Sequence, residues 1–155
     1  MKIAKVMIQY IKENINQTYM NLFYKDLPSF PYELKINQPS YNYYIENVRD
    51  AKELSKDEVD YKIRKMFTFS KCVYTFSNNS SNLYKKDDKI HRFYDMNMLV
   101  RKNKIITIWR NKAQCEFVKV NERMYKKWKE VYPMKNYING QFVDIDIVEN
   151  KLIKY

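Results

Sequence analysis

The stretch that decides the fold is His91–Val120, HRFYDMNMLVRKNKIITIWRNKAQCEFVKV. Ile90–Val100, Lys104–Trp109 and Gln114–Val120 are rich in β-branched, aromatic and large apolar residues. Two short basic segments, Arg101-Lys102-Asn103 and Arg110-Asn111-Lys112-Ala113, separate them. That spacing predicts a β-meander over about 90–120. Asn103 and Asn111 tolerate the left-handed backbone of a tight turn, but without glycine these turns are less sharply specified than an Asn-Gly hairpin. Ile105 and Thr107 would point to one face, Ile106, Ile108 and the Arg110 stem to the other, as in a strand covered on both sides.

Downstream, Asn121 can cap a short helix over 122–132 that places Met124, Trp128 and Val131 on one face before Pro133 closes it. The sole glycine follows in Tyr137-Ile138-Asn139-Gly140-Gln141-Phe142, and Asn-Gly between alternating residues predicts a hairpin over about 135–148. Its outgoing strand carries Asp144 and Asp146 on one face, a pattern that protects a sheet edge. Such a pair could instead serve a metal-dependent nuclease with a third carboxylate.

Upstream, Phe67–Phe76 (FTFSKCVYTF) reads as a strand with both faces partly apolar. A polar loop follows it, and then the turn Lys85-Lys86-Asp87-Asp88-Lys89, whose carboxylates are expected to be solvated. Residues 46–67 read as helical, restarted by Ser55-Lys56-Asp57-Glu58 in the form of a capping box and continued by Val59, Ile63, Met66 and Phe67. Pro28, Pro31 and Pro39 make 25–44 an extended connector, with Tyr41, Tyr43 and Tyr44 expected to pack. Residues 1–24 form the clearest helical pattern, with Ile3, Val6, Met7, Tyr10, Ile11, Ile15, Tyr19, Leu22 and Phe23 on one stripe. The expected fold is a single α+β domain. A mostly antiparallel sheet carries the N-terminal amphipathic helix and two short helices packed on it.

The formal net charge is +11, and its distribution is uneven. Residues 1–60 hold eight Lys and Arg against nine Asp and Glu, and 61–135 hold nineteen against six. Abundant Lys, Asn, Ile and Tyr with one Gly and three Ala suggest an AT-rich genome. That bias acts on the whole chain and does not explain a concentrated excess. A concentrated positive field suits a polyanion, because neutralised phosphates release counterions. The expected contacts are Arg92, Arg101, Lys102, Lys104, Arg110 and Lys112, with Lys126, Lys127 and Lys129 as a second cluster.

The expected function is therefore a basic binding or assembly subunit. It would contact nucleic acid, RNA in preference to DNA, or an acidic partner within a viral, phage or ribonucleoprotein complex. One alternative is a small metal-independent ribonuclease built on His91, the only histidine, although no acid–base partner is evident from spacing. Another is a protein-binding factor of the viral inhibitor type. The N-terminal helix could also dock on a protein partner.

No glycine-rich phosphate loop can be built with one glycine, and no Cys/His set has zinc spacing, so no cofactor or metal site is expected. Cys72 and Cys115 lie in apparent strands, where a free cysteine is usually a small buried residue. With no secretory signal pattern and no apolar run of membrane-spanning length, an intracellular, reducing compartment is expected: cytoplasm, virion or organelle.

Overall fold

The computed structural model describes residues 27–79, 83–110 and 118–143. The helix expected over 1–24, the third meander strand before Val118, and Cys115, Lys112, Asp144 and Asp146 lie outside them. The described residues form a mixed α+β structure. In chain order they are β1 (Lys35–Ile36), α1 (Gln38–Asn47), α2 (Lys56–Thr68), β2 (Lys71–Thr75), β3 (Lys89–Phe93), β4 (Met96–Arg101), β5 (Lys104–Arg110), α3 (Glu122–Val131), and the hairpin β6 (Tyr137–Ile138) and β7 (Gln141–Phe142). Five strands form one sheet in the order β1-β5-β4-β3-β2, antiparallel except for the β1–β5 pair. The β6–β7 pair stands apart as a two-stranded sheet.

Local chemistry accounts for the helix ends. Ser55 Oγ accepts from the Glu58 N–H at 3.2 Å while the Glu58 carboxylate accepts from the Ser55 N–H at 3.5 Å, which completes the capping box of α2. Asn121 caps α3 by accepting from the Met124 N–H at 3.2 Å. The connector expected over 25–44 ends early, because Gln38–Asn47 is helical. Pro39 lies in the first turn of α1, where its missing N–H would have had no intrahelical partner anyway. Asn37 caps that turn, accepting from the Ser40 N–H at 3.1 Å. The second helical region begins not near Glu46 but at Lys56, after a 3₁₀ turn over Ala51–Glu53.

The meander differs from expectation in one consequential way. Ile90–Val100 is not one strand: it folds back at Tyr94-Asp95 into β3 and β4, with Tyr94 at φ 52° and Phe93 opposite Met96. Val118 makes an isolated antiparallel bridge with Tyr94. At the next turn the left-handed residue is Lys102, at φ 54°, rather than Asn103. Asn103 instead donates its side-chain amide to the Glu33 carbonyl at 2.9 Å. The predicted Asn-Gly hairpin is present, with Asn139 at φ 51° and Gly140 at φ 80°, both positive as a type I′ turn requires.

The main core lies between α1, α2 and the sheet. Tyr44, Val59, Ile63 and Met66 pack against Met96, Met98, Val100, Ile105 and Ile108. A second, aromatic core gathers Phe30, Tyr61, Trp128 and Tyr137 around α3 and the hairpin. The strand expected over Phe67–Phe76 starts only at Lys71, because α2 continues through Thr68. As β2 it forms one edge of the sheet with all five residues exposed, including Cys72, which is not the buried residue expected of it.

Candidate polyanion-binding site

The hairpin register of β3 and β4 builds a basic cleft. Lys89 opens β3 and pairs with Val100 near the end of β4, so the turn before β3 lies beside the turn after β4. Between them is a cleft of about 420 Å³ lined by Lys85, Lys86, Asp87, Asp88, Lys89, Val100, Arg101 and Lys102.

One carboxylate holds this arrangement together. Asp88, expected to be solvated, is 1 % exposed. Its two oxygens accept from Arg101 Nε at 3.0 Å and Nη2 at 2.9 Å, and one also accepts from the Lys85 N–H at 2.9 Å. These hydrogen bonds, opposed by burial, hold the Asp88 carboxyl below the ordinary carboxylate range. Arg101 also donates to the Leu83 carbonyl at 3.0 Å. Thus Arg101, expected to contact phosphate, is already engaged by the fold. Lys85, Lys86, Lys89 and Lys102 are exposed around it. Asp87 is the further acid in the lining.

Aromatic rings adjoin the lysines. Phe76 lies 4.7 Å from Tyr74 and stacks on Tyr84 at 4.5 Å between centroids, 11° from parallel. The Phe76 N–H donates to the Asp88 carbonyl at 2.9 Å, and the Asp87 N–H donates to the Phe76 carbonyl at 2.8 Å, so the row is anchored to the basic turn. Tyr74 is 54 % exposed. Phe76 and Tyr84 are partly buried, and none of the three rings lines the cleft itself. An exposed ring such as Tyr74 near lysines suits an unpaired base next to phosphates.

The residues singled out from sequence fall into separate groups. Arg101, Lys102 and Lys104 lie at the cleft end, although Lys104 does not line the cleft. Arg110 is at the far end of β5, where it pairs with Asp95 at 3.2 Å. Arg92 Nε donates to buried Asn97 at 2.8 Å. Lys126, Lys127 and Lys129 are on α3, with Lys129 Nζ 4.7 Å from the Tyr125 ring centroid. His91 shares β3 but packs against Phe67, 5.1 Å between centroids, with Nδ1 3.2 Å from Ser70 Oγ. Burial and then the charge of Lys89 favour its neutral form. Lys85, Lys86, Lys89, Tyr74 and Tyr84 were not among the expected contacts. The Tyr94-Asp95 turn would have placed the three lysines, because it sets the register. Among the described residues no group of three or more His, Cys, Asp or Glu is arranged to hold a metal, and no helix is long and apolar enough to cross a membrane.

Comparison of the chain with protein-family models, curated proteins and solved structures found no match.

The Asp88–Arg101 pair predicts how Arg101 behaves when changed. Arg101→Gln is expected to lower stability by about 3 kcal/mol, since it leaves a buried carboxylate without its bidentate partner. Chemical denaturation checks this. A loss within about 0.5 kcal/mol, typical of a surface substitution, would show that the pair does not support the turn.

Proposed function

We propose that the protein binds nucleic acid, RNA in preference to DNA, as a basic subunit of a larger viral, phage or ribonucleoprotein assembly. The observation that carries this reading is the gathering of Lys85, Lys86, Lys89 and Lys102 around one cleft, beside Tyr74, Phe76 and Tyr84. The lysines supply sequence-independent phosphate contacts. The rings favour unpaired bases, and sequence-specific RNA recognition mostly engages loops and single strands.

The rings also separate this reading from an acidic protein partner, which would use the lysines alone. Tyr74→Ala is expected to weaken single-stranded RNA binding by about 1–3 kcal/mol, roughly 5- to 150-fold in Kd, through loss of one base–ring contact. It should leave binding of polyglutamate unchanged. Equal loss for both ligands, or loss for neither, would contradict the role given to the rings.

A further inference from the structure

A second group of amines lies between α2 and α3. Lys62 and Lys65 are three residues apart on α2, and Lys129 is on α3. Lys65 Nζ is 5.3 Å and Lys129 Nζ 4.7 Å from the centroid of the same Tyr125 ring, and Lys65 is also 5.7 Å from the Tyr61 centroid. Ring faces attract cations, but two ammonium groups on one ring repel each other. Burial and then Lys129 push the Lys65 amine down to about 8, and burial and then Lys65 lower Lys62. Glu58, on α2 one turn before Lys62, acts in the opposite direction on Lys62. Among the described residues, no ion pair joins any of the three lysines to a carboxylate. Lys62 and Lys65 are partly buried and Lys129 is exposed beside them. Neighbouring amines that form no ion pair are relieved by an anion that accepts from several donors at once.

We propose that Lys62, Lys65 and Lys129 form a phosphate-binding site between α2 and α3, bordered by Tyr125. A phosphate offers enough acceptor oxygens to engage all three amines. The site does not depend on the cleft. Tyr125 lies 6.4 Å from Phe93, at the Tyr94 end of β3, whereas Lys89 and the cleft are at the other end. Four residue steps separate Lys89 from Phe93, about 13 Å along the strand. The phosphate could come from a nucleic-acid backbone running along β3 or from a free phosphomonoester.

Acylation of Lys65 in the full chain near pH 8, followed by mass spectrometry, tests the site, because only the neutral amine reacts. The probes are inorganic phosphate and an RNA oligonucleotide without terminal phosphates, each compared with chloride at equal ionic strength. A probe at ten times its Kd should slow Lys65 acylation about tenfold. Lys129→Gln, at an exposed position, should weaken that protection. Protection by phosphate alone identifies a free phosphate ligand, and protection by the oligonucleotide identifies a backbone phosphodiester. Either supports the site. Protection by neither, or protection that Lys129→Gln leaves intact, overturns it. The double variant Lys85→Gln, Lys86→Gln should retain the protection given by phosphate, so failure of the cleft and failure of this site are distinguishable.

Discussion

Replacing Arg64 with alanine is expected to destabilise the protein by about 3–5 kcal/mol, the cost of breaking a buried ion pair from one side. The side chains of Arg64 and Asp60 are only 12 % and 14 % exposed, and they meet at 2.8 Å. Arg64 Nη1 also donates to the carbonyls of Pro31 at 2.8 Å, Leu34 at 2.5 Å and Tyr32 at 3.4 Å. Asp60 accepts in addition from the hydroxyls of Tyr41 on α1 and Tyr137 on β6. One i,i+4 pair on α2 thus ties together the segment before β1, helix α1 and the C-terminal hairpin. Burial alone would raise the Asp60 pKa, but the hydrogen bonds from Arg64, Tyr137 and Tyr41 and the Arg64 charge outweigh it. Burial and the hydrogen bond to Asp60 raise both tyrosines.

The sign of the pH dependence follows. With its folded pKa below the unfolded value of about 3.9, Asp60 contributes stability that is complete above that value and lost as pH falls through the folded pKa. Asp88 adds in the same direction. Urea unfolding at neutral pH and near pH 3 should show wild type losing stability on acidification. Arg64→Ala should lose less over the same interval, because its Asp60 no longer has the Arg64 hydrogen bond and charge that lower its pKa. A variant with wild-type stability at neutral pH would contradict the hub.

Trp128→Ala should cost about as much, roughly 3–5 kcal/mol for a large aromatic removed from a core. Trp128 is fully buried, and its Nε1 donates to the Pro28 carbonyl at 2.8 Å. Its ring lies 5.1–6.0 Å from those of Tyr132, Phe69, Phe30 and Tyr61. Trp128 is the one buried residue of α3; Tyr125, which packs on Phe69 at 5.1 Å, is only partly buried. Trp128→Phe retains most of the apolar contact but strands the Pro28 carbonyl, and should lose about 1–3 kcal/mol. Denaturation followed by circular dichroism reads both variants. A loss below about 1 kcal/mol for the alanine variant would mean that α3 is held by other contacts.

Elements whose signals are local were legible in the sequence. The Ser55–Glu58 box, the Asn121 cap and the Asn139-Gly140 turn each depend on residues a few positions apart, and each occurs where those residues predict. Features set by tertiary partners were not. Tyr94-Asp95 carries no glycine or asparagine to mark a reversal, and the strand pairing holds Tyr94 at positive φ. Asp88 resembles any acid in a lysine-rich turn until Arg101, thirteen residues later, comes within hydrogen-bond distance. The excess of positive charge in the middle of the chain was evident from composition, but its assembly into a cleft depends on the β3–β4 register.

Nucleic-acid binding through the cleft is read out by the salt dependence of RNA affinity. Each phosphate neutralised on a single strand contributes about −0.7 to the slope of log K against log salt, so four lysine contacts predict a slope of about −3. The quadruple variant Lys85→Gln, Lys86→Gln, Lys89→Gln, Lys102→Gln changes only exposed side chains. It should fold as wild type does, bind RNA more weakly at low salt and lose most of that slope. Affinity indifferent to salt in the wild type, or a slope that the quadruple variant leaves unchanged, would contradict nucleic-acid binding through the cleft.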